Sequence, residues 1–122
     1  MAASREHKHQ KAVVDYFRFA YPQHKKLLFS IPNGGHRDVR EGARLKAEGC
    51  RAGVPDLLLC VPTLAYPALF IEMKAPQELY RPAGKLSDVQ REMIAELKGA
   101  GYRVEVCFGS NEAITVIDEY LA

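Results

Sequence analysis

Residues 55–74 read PDLLLCVPTLAYPALFIEMK and contain two apolar runs separated by a short loop. In residues 56–61 five apolar residues follow an aspartate, and in residues 68–74 polar side chains come only at the end. Apolar runs of this length between turn residues are typical of strands covered on both faces. The stretch therefore predicts two strands inside a sheet. Three charged residues stand at the ends of these strands: Asp56, Glu72 and Lys74.

The flanking sequence predicts further helices and strands. Apolar residues recur at helical spacing in residues 5–21 until Pro22, and at strand spacing in residues 102–108. Together these patterns predict helix 5–21, strand 27–31, helix 38–50, strands 56–61 and 68–74, helix 87–98, strand 102–108 and a final helix capped by Ser110. The order αβαββαβα predicts one α/β domain over residues 1–122, with a mixed sheet flanked by helices.

The net charge of +2 conceals an uneven distribution along the chain. Residues 1–51 carry eleven Lys and Arg against five Asp and Glu, whereas the remaining residues carry six against ten. A basic half joined to an acidic half predicts a surface that faces a polyanion, beside a site rich in carboxylates. Charge alone leaves open the alternative of a solvated basic helix face.

Cysteine usage and hydropathy bear on the compartment. The three cysteines are odd in number and widely spaced, with no Cys-x-x-Cys pair, which favours a reducing, intracellular setting. The N-terminal residues are charged where a signal peptide requires an apolar run, and no stretch approaches the roughly 18 apolar residues of a membrane span. The sequence predicts a cytoplasmic protein without membrane attachment.

The charged strand ends suggest a chemistry. Glu72 and Lys74 share one face of their strand, and Asp56 reaches that face if the two strands are neighbours. Two carboxylates beside a backbone carbonyl make an oxygen-rich site suited to Mg²⁺ or Mn²⁺. A lysine there can orient water, stabilise charge on a phosphate, or act as a base if its pKa is lowered. The alternative is a simple Glu-Lys pair at a strand end.

Larger motifs support the first interpretation. Pro55-Asp56, followed after fifteen residues by Glu72-Met73-Lys74, resembles the PD-(D/E)XK nuclease signature. The segments 49–57 (GCRAGVPDL), 71–74 (IEMK) and 87–90 (SDVQ) resemble the virus-type replication-repair nuclease (VRR-NUC) domain. The resemblance spans nearly the whole chain. It implies a restriction-endonuclease-like core and a Mg²⁺- or Mn²⁺-dependent DNA endonuclease.

The resemblance also implies individual roles. Asp56 and Glu72 would bind the metal ion, the backbone carbonyl of Met73 would complete its protein ligands, and Lys74 would be the catalytic lysine. Gln90 matches a glutamine near the metal-activated water or the scissile phosphate.

Two of the implied site residues have local alternatives. Ser87-x-x-Gln90 is also the pattern of a capping box at a helix start. Glu6 matches an acidic helix position that can approach the metal, but a glutamate in a first helical turn also interacts favourably with the helix dipole.

Candidate DNA contacts lie just ahead of the predicted metal site. Basic side chains there suit phosphate contacts that carry no sequence information: Arg37, Arg40, Arg44, Lys46 and Arg51. Asn33 and Gly34 resemble a family loop where backbone can approach DNA, although an ordinary turn explains them equally well. In the loop after the Glu-x-Lys strand, Tyr80 and Arg81 are further candidates, with packing of Tyr80 on its own domain as the alternative.

The resemblance extends to substrate and assembly. Small stand-alone members of the family resemble Holliday-junction resolvases in being homodimers with two active sites. We therefore expect a homodimer that nicks four-way or other branched DNA. Two alternatives stay open: a nonspecific or restriction-like duplex nuclease, and a catalytically silent DNA-binding module of the same fold. The small format suggests a bacterial or phage-infected cell as the setting.

Overall fold

The computed structural model describes residues 5–32 and 39–122. Within them the predicted order of helices and strands is confirmed, with one added 3₁₀ helix. The elements are α1 (Arg5–Ala20), the 3₁₀ helix (Pro22–Leu27), β1 (Leu28–Ser30), α2 (Val39–Ala47), β2 (Leu57–Leu59), β3 (Leu69–Lys74), α3 (Asp88–Gly99), β4 (Arg103–Phe108) and α4 (Ser110–Leu121). No helix in the described ranges has both the length and the apolar composition needed to cross a bilayer.

Several predicted boundaries are too wide. Strand β1 is shorter because Leu27 belongs to the 3₁₀ helix that Pro22 begins. Strand β2 pairs over three residues only, both with β1 and with the longer β3. The predicted capping by Ser110 is wrong. Gly109, at φ +93°, takes the cap position, and the amide of Ser110 donates to Nδ1 of His9 at 3.0 Å.

The four strands form one mixed sheet in the order β1-β2-β3-β4. Strand β2 is antiparallel to both β1 and β3, whereas β3 and β4 are parallel. All six residues of β3 are buried, as expected for a strand covered on both faces. Leu57 is paired with Ile71, and the same register places Asp56 opposite Glu72. The predicted α/β fold with a mixed sheet flanked by helices is confirmed.

The side chains of β3 alternate between two cores. On one face they join apolar residues of α1 and α4 in the larger core, whose members include Val13, Phe17, Leu69, Ile71, Met73, Ala113 and Ile117. On the other face Phe70 packs with Ile94 of α3 and with Val104 of β4. Because side chains alternate along a strand, Glu72 and Lys74 share the α3 face with Phe70. The fold thus places Glu72 and Lys74 next to the first turn of α3.

Candidate active site

Asp56 lies immediately before β2 and is fixed by the backbone of β3. Its Oδ2 atom accepts a hydrogen bond from the Met73 amide at 2.8 Å. Pairing between β2 and β3 stops at Leu57, so this amide lies beyond the last strand pair, and a buried amide needs an acceptor. The aspartate supplies it, which holds its carboxylate beside Glu72.

Glu72 and Lys74 are the two buried charged residues of the described chain, with 2% and 7% of their surface exposed. Lys74 Nζ donates to Oε1 of Gln90 at 3.0 Å, and Gln90 Nε2 donates to Oε2 of Glu72 at 3.5 Å. The other carboxylate oxygen, Oε1 of Glu72, is buried and has no hydrogen-bond partner among the described residues. Leaving such an oxygen unsatisfied is costly, so its partner is expected to be a ligand.

Gln90 forms the capping box that its sequence context suggested, and its side chain also contacts two other candidate site residues, Lys74 and Glu72. It forms a capping box with Ser87, whose Oγ accepts from the Gln90 amide at 3.2 Å while the Ser87 amide donates to Gln90 Oε1 at 2.9 Å. The same Oε1 atom accepts from Lys74. The cap therefore fixes the side-chain amide of Gln90, with its oxygen toward Lys74 and its nitrogen toward Glu72.

Gly53 connects the segment before Asp56 to the same helix. Its φ of +87° is a backbone conformation that residues with a side chain rarely adopt. A Cβ atom at this position would lie 2.6 Å from the carbonyl oxygen of Val89 in α3. The glycine thus lets the chain that leads to Asp56 rest directly on the first turn of α3. In the sequence, Gly53 belongs to the segment 49–57 (GCRAGVPDL), and no local pattern there predicts this contact.

The electrostatics of the site favour a bound cation. Burial raises the pKa of Glu72 far above its usual range, and the adjacent Asp56 carboxyl raises it further, whereas the Lys74 charge lowers it. A divalent ion would compensate for two neighbouring carboxylates. The donors here are oxygens, which suits Mg²⁺ or Mn²⁺, and Mg²⁺ commonly uses only one or two carboxylates. These residues therefore fit the implied metal.

Glu6 occupies the first turn of α1 and is half-buried. Its charge contributes the smallest of the effects that raise the pKa of Glu72. Within residues 5–32 and 39–122, no three Asp, Glu, His or Cys side chains lie close enough together to hold a metal ion. Glu6 is therefore not brought into one ligand group with Asp56 and Glu72.

Those of the predicted DNA-binding residues that the structure describes are all exposed. Helix α2 has no buried residue, and three of its side chains are exposed basic groups: Arg40, Arg44 and Lys46. Arg44 forms an ion pair with Glu48 at 3.2 Å, and Arg51 is exposed in the turn that follows. The remaining candidates, Asn33, Gly34 and Arg37, lie outside the described residues.

Two residues of α1, Arg5 and His9, bind segments next to the site, and the sequence did not predict these contacts. Arg5 donates from Nη1 to the carbonyl of Pro76 and from Nη2 to the carbonyl of Pro82, in the loop after β3. His9 binds the start of α4, where the Gly109 amide donates to the carbonyl of Lys74 at 3.0 Å. No local pattern marks these contacts, because their partners are 71 to 101 residues away in sequence.

The mixed sheet, with a Pro-Asp segment before β2 and a Glu-x-Lys segment closing β3, defines a restriction-endonuclease-like α/β fold. The sequence model of the VRR-NUC domain matches residues 2–111, and the chain belongs to this family. It is also similar to a solved structure described as a VRR_NUC domain protein, at 25% identity and a TM-score of 0.80. That match covers 99% of this chain and 91% of the other. No curated protein matches. Membership of the family implies a nuclease-type function and DNA as the bound partner.

Proposed function

We propose that this chain is a Mg²⁺- or Mn²⁺-dependent endonuclease that nicks branched DNA, such as Holliday junctions, as a homodimer. One observation carries the proposal. Asp56, Glu72, Lys74 and Gln90 converge on one face of the sheet, and Oε1 of Glu72 is buried without a partner. A polar cluster with one unpartnered carboxylate oxygen is what a cation-binding site presents to its ion.

Asp56 and Glu72 would hold the metal ion, together with the backbone carbonyl of Met73. Glu6 would contribute a more distant negative charge. When bound, the ion supplies a Lewis acid that polarises the phosphate and lowers the pKa of a bound water. Asp56 is held in place for this role by the Met73 amide, so little rearrangement is needed when the ion enters.

Lys74 would act on the scissile phosphate or on the attacking water. An ammonium group has three donors, and one of them is used by Gln90. The two others have no hydrogen-bond acceptor among residues 5–32 and 39–122, and they would stabilise charge on the phosphate oxygens or orient water for in-line attack. Attack by water breaks the bond between phosphorus and the 3′ oxygen, which takes up a proton, and leaves a 5′-phosphate and a 3′-hydroxyl.

The basic surface would position the DNA. Arg40, Arg44, Lys46 and Arg51, with Arg37, would contact phosphates, and Asn33 and Gly34 would allow close approach of backbone to DNA. Contacts of this kind carry no base information, so selectivity would depend on DNA shape. Two copies related by a two-fold axis would place two active sites on one junction and allow symmetric nicks.

The test is cleavage of an end-labelled four-way junction and a matched linear duplex, each with Mg²⁺, Mn²⁺ or EDTA. We expect symmetric junction nicks that disappear in EDTA and in Lys74→Ala. Cleavage by Lys74→Ala would exclude Lys74 from the mechanism. Equal cleavage of the linear duplex would favour a duplex nuclease, and binding without cleavage in either metal would favour a silent module. A monomer by light scattering at micromolar concentration would contradict the homodimer.

A further inference from the structure

The loop that follows β3 carries a closed turn at its tip. The amide of Glu78 donates to the carbonyl of Arg81 at 2.9 Å, and the amide of Arg81 donates back at 3.0 Å. This pair encloses Leu79 and Tyr80, whose surfaces are 81% and 94% exposed. The alternative raised by the sequence, that Tyr80 packs on its own domain, is therefore wrong. The turn presents two apolar side chains to solvent.

Tyr80 also has an unfavourable backbone conformation. Its φ is +64°, and it is the one non-glycine residue with a positive φ in the described chain. Leu79 does not share this feature, and turns with a positive φ only at the second central residue usually place Gly or Asn there. A tyrosine in this position is strained, and its exposed side chain gains no packing in return. Strained residues of this kind cluster at functional sites.

The turn is held firmly relative to the candidate active site. Arg5 binds both of its sides, through the carbonyl of Pro76, the carboxylate of Glu78 at 3.0 Å and the carbonyl of Pro82. At the base of the loop the Gly84 amide donates to the carbonyl of Ala75 at 2.9 Å.

The base of this loop lies directly against the catalytic lysine. A Cβ atom on Gly84 would lie 3.3 Å from Cδ of Lys74. Tyr80 lies six positions after Lys74 in the chain, so the tip lies within about 20 Å of the lysine.

We propose that the Leu79–Tyr80 turn is a wedge that stacks on a nucleobase left exposed at a DNA branch point. The inference rests on the proposed function and gives it a source of selectivity. Aromatic rings stack on bases of any sequence, and apolar wedges enter unstacked base steps. In a continuous duplex both faces of each base are already stacked, whereas a branch exposes one. The ring would therefore distinguish branched from linear DNA without reading bases.

The charges around the turn favour nucleic acid over an apolar protein partner. Arg81 closes the turn and Lys85 follows in the same loop, and both are exposed. The acidic member, Glu78, is paired with Arg5 at 3.0 Å. The outer surface of the loop is thus positive around an exposed aromatic ring, which is the combination used by proteins that bind single-stranded nucleic acid.

The experiment measures binding in EDTA, so that it does not depend on cleavage. Wild type, Tyr80→Ala, Tyr80→Phe and Phe19→Ala are titrated with a four-way junction and a linear duplex, the junction carrying 2-aminopurine at the branch. Phe19 is 86% exposed on α1 and serves as the matched exposed ring. We expect Tyr80→Ala to weaken junction binding roughly 10-fold and to abolish quenching of 2-aminopurine. Tyr80→Phe and Phe19→Ala should behave as wild type, and duplex affinity should not change.

A stability measurement separates the wedge from a structural role. Glycine adopts positive φ without strain, so Tyr80→Gly should have a Tm equal to or above that of wild type while losing junction affinity. If Tyr80 instead served the fold, this variant would have a lower Tm. The wedge would be overturned by wild-type junction affinity in Tyr80→Ala, or by an equal loss of affinity for both DNAs.

The wedge and the nuclease can fail separately. If the wild-type chain binds the junction but does not cut it with Mg²⁺ or Mn²⁺, the proposed nuclease function fails and the Tyr80 variants still decide the wedge. If the chain cuts junctions and Tyr80→Ala does so equally well, the wedge alone fails. A wild-type chain that binds neither DNA overturns both.

Discussion

Two polar clusters in this molecule are built from similar groups but differ in completeness. The candidate-site cluster consists of Asp56, Glu72, Lys74 and Gln90. The tyrosine cluster joins α1 to α4 and consists of Tyr16, Tyr21 and Asp118.

The two clusters differ in whether their carboxylate oxygens have partners. In the tyrosine cluster Asp118 Oδ1 accepts from Tyr21 at 2.6 Å and from Tyr16 at 2.9 Å, and Oδ2 accepts from Tyr16 at 3.0 Å. In the candidate-site cluster Glu72 Oε1 has no hydrogen-bond partner among the described residues. A cluster that satisfies its own hydrogen bonds stabilises the fold, whereas an incomplete one needs a further partner, such as a water or an ion.

The largest expected difference between the clusters is in catalysis. Lys74→Ala removes a donor that would stabilise charge in the transition state, so we expect cleavage to fall roughly 10²- to 10³-fold. Tyr21→Phe removes a hydrogen bond of similar geometry from the tyrosine cluster and should leave the rate unchanged. Single-turnover cleavage of a labelled junction at saturating Mg²⁺ measures both. A similar loss of rate in the two variants would erase the functional distinction between the clusters.

The next largest effect is on stability, through the contact between Gly53, in the segment that leads to Asp56, and the first turn of α3. Gly53→Ala forces a positive φ on alanine and drives its Cβ into the Val89 carbonyl, so we expect a loss of about 2–4 kcal/mol of unfolding free energy. Gly42→Ala is the matched control, because a Cβ there meets nothing within 4 Å and α2 gains a better helix former. Urea denaturation measures both variants. Equal urea midpoints for Gly53→Ala and Gly42→Ala would mean that the segment before Asp56 does not pack against α3.

Metal binding should stabilise the folded protein through the cluster that contains Glu72, and it should not depend on the tyrosine cluster. At a metal concentration ten times its Kd, a site formed only in the folded state adds about 1.4 kcal/mol, or a Tm rise of roughly 5 °C. We expect Mn²⁺ to raise the Tm of wild type and of Asp118→Asn, with reversal by EDTA. Glu72→Gln should not respond. A response in Glu72→Gln equal to that of wild type would place the ion elsewhere.

The smallest effect lies in the tyrosine cluster. The hydrogen bond to Asp118 raises the pKa of Tyr21 to about 12, above about 10 in the unfolded chain. The folded chain therefore retains the phenol proton longer, and the resulting stabilisation is full below pH 10 and is lost as the pH rises through 12. Because Tyr21 is partly exposed, we expect Tyr21→Phe to lose less than about 1 kcal/mol at pH 8.

Urea denaturation of wild type and Tyr21→Phe between pH 8 and pH 12 tests this expectation. The difference in unfolding free energy should shrink over the upper two pH units. A difference that stays constant over this range would mean that Asp118 does not hold the Tyr21 proton.

Much of the fold followed from short-range pattern. The apolar runs around Asp56 and Glu72 predicted two central strands, and alternation along a strand predicted that Glu72 and Lys74 share a face. The prediction that Ser110 caps α4 is wrong, because Gly109 takes the cap position. His9 of α1 accepts a hydrogen bond from the Ser110 amide. A capping pattern predicts only contacts between residues that are close in sequence, whereas here the hydrogen-bond partner of the Ser110 amide is the distant His9.

The sequence by itself determined the order of helices and strands, the family, and the types of side chain at the candidate site. These depend on periodicity and on spacings within a few residues. Only the tertiary structure decided that Gln90 links Lys74 to Glu72, that one oxygen of Glu72 lacks a partner, and that Tyr80 is strained and exposed. Such properties depend on contacts between distant parts of the chain, and those contacts exist only after the sheet and helices have packed.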